Sequence, residues 1–285
     1  MMEFIPPDKK LYKHLRFIPK IKLIDSNLKN RMNFFQNKLN GLKRRIHSKK
    51  YGMFYWRNSD YKIPHILTVN GNNTELRVEN MDINEFTGIC INDCYHLGYL
   101  KKKLGIVKTI VDVGANQGMF IIAARQFFPT ATIHCYEPNP QLLNTLYFNA
   151  QQLNATPYFE AVMQEDCKVD LHFTDSDLAT TASESISGII TGSSLKTIIS
   201  RIGAIDILKL DCEGSEWGLL ADTESWKQVK SLSMEYHLWG KANSKVEDLF
   251  ILLNHINFEL IHHTVYNSQQ GLVVAINKII LNEGE

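Results

Sequence analysis

The sequence predicts an α/β protein built on a doubly wound, mostly parallel sheet. Three observations carry that reading. From Thr109 onward, short apolar runs alternate with helical patterns, an order that right-handed crossovers convert into parallel strands covered on both faces. A turn bearing Gly114 and Gly118 follows the first run, and an acid, Glu137, ends the second.

At the start of the chain, Ile24, Leu28, Met32, Phe35, Leu39, Leu42 and Ile46 recur at spacings of three and four, which is one face of a helix. Lys29, Arg31, Lys38, Lys43, Arg44 and Arg45 occupy its other positions. Residues 1–50 hold 14 Lys and Arg against 3 Asp and Glu, and residues 51–285 hold 17 against 27. This extension is therefore both amphipathic and basic. Packing of its stripe on the main domain is the expected use. Contact of residues 22–47 with an anionic membrane or with another subunit is the alternative.

Residues 51–105 read as a β-rich lead-in, with strands around Met53–Arg57, Ile66–Val69 and Leu76–Val78 and a turn at Asn70-Gly71-Asn72-Asn73. Residues 106–285 form the main domain. Seven strands are expected there, at Thr109–Val113, Thr132–Tyr136, Tyr158–Val162, Ala204–Leu210, Ser231–Tyr236, Phe258–His262 and Leu272–Asn277. Helices are expected over Met119–Phe128, Gln141–Gln152, Glu216–Asp222 and Lys245–Ile256, with an extra strand at Val169–Phe173. The Ser- and Thr-rich stretch Thr174–Ser194 reads as a long functional loop.

Composition narrows the class. A chain of 285 residues, 44% hydrophobic, can bury one sizeable core. It has no apolar run of about 18 residues that would span a bilayer. Its first twenty residues lack the pattern of a secretory signal, so a cytoplasmic location is expected. Cys90, Cys94, Cys135, Cys167 and Cys212 form no C-x-x-C pair and are expected as reduced core thiols.

The chemistry gathers at strand ends. Glycines at the turn after Val113 let a ligand approach the backbone. Glu137, 19 residues beyond Gly118, can accept hydrogen bonds from both ribose hydroxyls of a nucleoside. Position 116 is Asn, so the dinucleotide pattern G-x-G-x-x-G is absent. Asp112 precedes the turn and suits an ammonium or sulfonium better than a polyphosphate.

Farther along, Ile207, Lys209 and Asp211 share one strand face. A buried ammonium needs a carboxylate, for which Asp211, Glu213 and Glu235 are the candidates. The next strand brings Glu235 and His237 to the same rim. His237 is the candidate general base, with Asp211 and Glu213 beside it at the reacting end. The adjacent His262 and His263 lack a third ligand at recognisable spacing, and no metal site is expected; a divalent ion held by Asp211 and neighbouring carboxylates is the weaker alternative.

Four blocks in order resemble the FkbM family of S-adenosylmethionine-dependent methyltransferases: Val111-Asp112-Val113-Gly114-Ala115-Asn116-Gln117-Gly118, Tyr136-Glu137-Pro138-Asn139-Pro140, Ile207 through Glu216, and Met234-Glu235-Tyr236-His237. The resemblance spans roughly Cys90 to Asn277 and implies a seven-stranded Rossmann-like sheet with S-adenosylmethionine as cofactor. It further implies Asp112, Gly114, Asn116 and Gly118 around the methionine moiety. Glu137 would lie on the ribose with Pro138 and Asn139 beside it, Ala161 and Val162 near the adenine, and Asp211 facing the transfer site. Family members often carry a Thr-Leu-Asp pattern before the fourth strand, where this chain has Ser194-Leu195-Lys196. The acceptor implied is an oxygen of a sugar, glycan or small metabolite. A nucleic-acid substrate is disfavoured. Enzymes acting on exocyclic amino groups place Asn- or Asp-Pro-Pro-aromatic where this chain reads Asp211-Cys212-Glu213-Gly214. A non-catalytic binding protein that kept the nucleoside pocket is the other alternative.

Overall fold

The computed structural model describes residues 38–173, 180–185 and 187–282. The chain divides into two units, Met1–Lys43 and Arg44–Glu285, and the three sheets among the described residues and the cavity belong to the second. Residues 38–48 are helical (α1); the earlier part of the amphipathic stripe, Ile24 to Phe35, lies outside the described residues. Leu39, Leu42 and Ile46 are exposed. The guanidinium groups of Arg44 and Arg45 lie over the rings of Tyr61 and Tyr55.

The lead-in contains one hairpin, β1 (Ile66–Val69) and β2 (Asn72–Glu75), paired antiparallel. Its turn is only Asn70-Gly71, both at positive φ, which suits a two-residue hairpin. Pairing therefore runs through Asn72 and Asn73, and Leu76 and Val78 follow the strand as buried anchors. Met53–Arg57 is not a strand. Met53 is buried while Phe54 and Trp56 are exposed, so its alternation reflects an extended segment that packs without a ladder. Short helices α2 (Ile83–Phe86) and α3 (Leu97–Leu104) complete this part, with a π-helical turn at Thr87–Ile91 between them. The Asp82 carboxylate caps α2 by accepting from the Asn84 N–H.

The main sheet holds seven strands: β3 (Thr109–Val113), β4 (Thr132–Tyr136), β5 (Ala155–Tyr158), β10 (Ile207–Leu210), β11 (Ser231–His237), β12 (Phe258–Val265) and β13 (Gln270–Asn277). Their order is β12-β13-β11-β10-β3-β4-β5. Only β13 runs antiparallel to its neighbours. Alternate residues feed two cores: Ile110 and Ile207 face one, Val111, Val113, Leu208 and Leu210 the other. Covered on both sides, β10 is buried throughout, which explains its nearly unbroken apolar sequence.

A second sheet, β6-β9-β7-β8, is formed by β6 (Glu160–Met163), β7 (Cys167–Phe173), β8 (Thr180–Glu184) and β9 (Ile190–Ser194). It corrects two expectations. The predicted strand Tyr158–Val162 straddles the break between β5 and β6. The predicted loop Thr174–Ser194 supplies β8 and β9, because β-branched Thr and Ile pair readily even without apolar alternation. The remaining helices are α4 (Met119–Phe127), α5 (Leu143–Gln152), α6 (Leu195–Ile202), α7 (Glu216–Leu219), α8 (Val246–His255) and α9 (Lys278–Asn282). Helix α6 was not expected. Ser194 caps it by accepting from the Thr197 N–H, and Asp166 accepts from the Ser194 N–H and the Thr197 hydroxyl. All five cysteines are free thiols.

Candidate functional site

The strand order reverses direction between β10 and β3, and open α/β sheets bind ligands in the crevice at such a point. A cavity of about 860 Å³, counting the space at its mouth, opens there.

At the β3–α4 turn, Gly114 has φ 71°, and a Cβ there would collide with the Asp211 carbonyl oxygen. Glycine is thus required where β3 and β10 diverge. The Gly114 and Ala115 N–H groups donate to the Tyr136 carbonyl at 3.0 and 3.1 Å, which ties this turn to β4. Glu137, only 6% exposed, accepts from the Asn116 N–H at 2.8 Å and the Asn139 N–H at 2.9 Å. Burial raises its carboxyl above the usual range, and those two N–H groups draw it back. Two backbone donors therefore fix the carboxylate while leaving it capacity to accept more bonds.

Gly114, Asn116, Glu137, Pro138, Ala161 and Val162 line the cavity together, as do Asp211 and Glu213 at its other end. Four of the expected residues do not: Gly118, Asn139, Asp112 and His237. Gly118 caps α4 at φ 91° and packs toward Ile121, Leu146 and Asn149. Asn139 is buried and its carboxamide oxygen accepts from the Gln141 N–H. Asp112 is fully buried, and the sheet register accounts for what it does: Lys209 on β10 lies directly beside it, with Nζ 3.2 Å from Oδ1. Its charge is matched by Lys209, and Asp112 does not itself line the cavity.

Lys209 also approaches Asp211 at 3.8 Å and donates to the Val113 and Gly114 carbonyls at 3.1 and 2.7 Å. Burial alone would depress its pKa, but Asp112 and Asp211 outweigh that and hold it above the ordinary lysine value. Asp112 was absent from the partners expected for it, because the register between β3 and β10 is invisible in either strand alone.

His237 ends β11 and is fully buried. Its Nδ1–H donates to Glu216 at 2.8 Å, while Nε2 lies 3.7 Å from Glu213 and 3.9 Å from Glu235. Burial disfavours its charge, but the hydrogen bond to Glu216 and the charges of Glu216, Asp211 and Glu213 push its pKa up to about 9. It does not line the cavity. The cavity lining therefore does not by itself support the expectation that His237 is the general base. Glu235, raised to about 8 by burial and by Asp211 against the pull of His237, completes this acidic rim. His262 and His263 stand apart, hydrogen-bonded to Thr264 and Tyr236.

Sequence reasoning missed Glu85, Ile89 and Tyr95, which the lead-in contributes to the cavity wall. The Tyr95 hydroxyl donates to Asp211 at 3.3 Å. No motif flags these residues; only the fold brings them there. Ala182 of β8 also lines the cavity.

The methyltransferase FkbM domain model matches residues 112–260, more than half of the chain. The chain belongs to the FkbM methyltransferase family. As such it is an S-adenosylmethionine-dependent methyltransferase, and S-adenosylmethionine is its cofactor. No curated protein matches the sequence. Among solved structures, the N-terminal domain of EvdMO1 with SAH bound is 13% identical, covering 64% of this chain and 78% of that one at a TM-score of 0.40. Magnesium protoporphyrin IX methyltransferase (ChlM) from Synechocystis PCC 6803 is 11% identical, covering 73% of this chain and 88% of that one at a TM-score of 0.43. Likeness this distant says nothing about the acceptor of the FkbM-family chain.

Proposed function

We propose that this FkbM-family enzyme methylates an oxygen of a sugar, glycan or small metabolite. The observation that carries the reading is the pair of carboxylates Asp211 and Glu213, which line the same cavity as Glu137. Carboxylates accept hydrogen bonds from hydroxyl groups, which suits a polyol and repels a phosphate backbone.

The cofactor supplies an electrophilic methyl group on a sulfonium. Glu137 receives the ribose hydroxyls, and Ala161 and Val162 flank the adenine. Asp211 and Glu213 would hold the acceptor hydroxyl near that methyl group and would take up the proton the hydroxyl gives away. Alignment contributes most, up to ~7–11 kcal/mol.

The test is transfer of labelled methyl to pools of sugars, glycans and hydroxylated metabolites, with product adenosylhomocysteine followed alongside. Glu213→Gln is expected to lower turnover at least tenfold with adenosylmethionine affinity unchanged. Methyl label found only on nitrogen, or only on RNA or DNA, overturns the reading.

Residues 22–47 hold the enzyme against an anionic membrane surface on its cytoplasmic side. The support is the exposure of Leu39, Leu42 and Ile46 in a segment rich in Lys and Arg. No helix among the described residues is long and apolar enough to cross a membrane. Leu42→Glu combined with Ile46→Glu is expected to abolish flotation with phosphatidylserine vesicles. Unchanged flotation, or self-association through this helix instead, would overturn it.

A further inference from the structure

The buried Nε2 of His237 has no hydrogen-bond partner. Its other nitrogen is committed to Glu216, so Nε2 is the atom presented to the carboxylate rim. A buried polar atom without a partner is destabilising, and here it faces Glu213 at 3.7 Å and Glu235 at 3.9 Å. Asp211, Glu213 and His237 each offer one donor atom, and all three atoms lie within 4.8 Å of one another. An ion bound at ~2.0–2.2 Å from each donor requires the three to close by less than about 1 Å. Asp211 and Glu213 are half-buried just beyond β10, in the segment that leads to α7.

We infer that Asp211, Glu213 and the Nε2 of His237 bind a divalent transition-metal cation at the acceptor end of the cavity. The hydrogen bond from Nδ1–H to Glu216 is the outer-shell arrangement that fixes a metal-bound imidazole in the right tautomer. One imidazole with two carboxylates selects Mn²⁺, Fe²⁺, Co²⁺ or Zn²⁺ over Mg²⁺, which prefers oxygen alone. A cation there compensates acids that otherwise repel one another, and its open positions accept the oxygen of the acceptor. That last role rests on the proposed oxygen transfer; the binding does not.

Mn²⁺ is the probe. The full chain is stripped with chelator and titrated with Mn²⁺ while the free-ion signal is followed by electron paramagnetic resonance, with adenosylhomocysteine binding measured in parallel by calorimetry. One Mn²⁺ per chain is expected, weakened at least tenfold in Glu213→Gln and in His237→Gln. Glu213→Gln is the milder change and keeps the test alive where the buried His237 variant fails to fold. Adenosylhomocysteine binding without stoichiometric Mn²⁺, or Mn²⁺ binding indifferent to Glu213→Gln, overturns the site and leaves the methyl-transfer reading standing. Stoichiometric, Glu213-dependent Mn²⁺ binding supports the site even where no oxygen acceptor is methylated, an outcome that would sink the proposed function alone.

Discussion

Asp112 and Glu137 sit at or just beyond the ends of adjacent strands, both almost wholly buried, yet they do opposite things. Glu137 is held by two backbone N–H groups and lines the cavity. Asp112 is one residue short of its strand's end, beside Lys209 in register, and is sealed into the sheet. The same chemical group lines a cavity at one position and is a paired charge inside the sheet at the next. What decides is the neighbour across the strand, not the residue type.

The sharpest way to break this comparison is to remove Lys209. Lys209→Met strands a buried carboxylate, and a loss of ~3–5 kcal/mol in unfolding free energy is expected from chemical denaturation. Replacing both partners, Lys209→Met with Asp112→Leu, should recover most of that loss, because an apolar pair needs no compensation. The double variant should also still bind adenosylhomocysteine. Calorimetry showing that binding vanishes in a stable double variant would return Asp112 to the ligand.

Glu137 is expected to behave in the reverse manner. Glu137→Ala removes the acceptor for ribose hydroxyls and frees two N–H groups. Affinity for adenosylhomocysteine should fall ~10–100-fold, about 1.4–2.7 kcal/mol, and the loss of stability should stay well below that of Lys209→Met. Equal affinity in wild type and variant would remove Glu137 from the site.

Much of this was legible in the sequence, and the boundary has a physical cause. Strands β3, β4, β10 and β11 are buried on both faces, so their apolar runs announce them. Glu137 and the glycine turn follow from local chemistry at strand ends. Illegible were the features set by pairing between distant segments: Lys209 beside Asp112, His237 bonded to Glu216, Tyr95 reaching Asp211. The second sheet was hidden for a related reason. Its strands β8 and β9 are Ser- and Thr-rich, and a polar sequence signals a loop unless its partner strand is known.

A third acid sharpens the comparison with the smallest effect. Asp206, just before β10, lies at the opposite end of the sheet from the cavity. It accepts from the Lys108 and Thr109 N–H groups at 2.6 and 2.9 Å and pairs with Lys230 at 2.8 Å. Burial would raise its carboxyl, but Lys230 and those two N–H groups outweigh it and hold the group below the usual value. A carboxyl depressed in the folded state stabilises fully above its unfolded value, near ~3.9. That contribution is lost as pH falls through the lower folded value. Asp206→Asn keeps one acceptor and removes the charge, so a cost of about 1 kcal/mol is expected at pH 7. Urea denaturation should show a constant gap between wild type and variant from pH 6 to 8, closing below about pH 4, with adenosylhomocysteine affinity unchanged throughout. A gap that persists undiminished into acid would mean that the Asp206 charge contributes nothing, and that its carbonyl-like acceptor geometry alone ties β3 to β10.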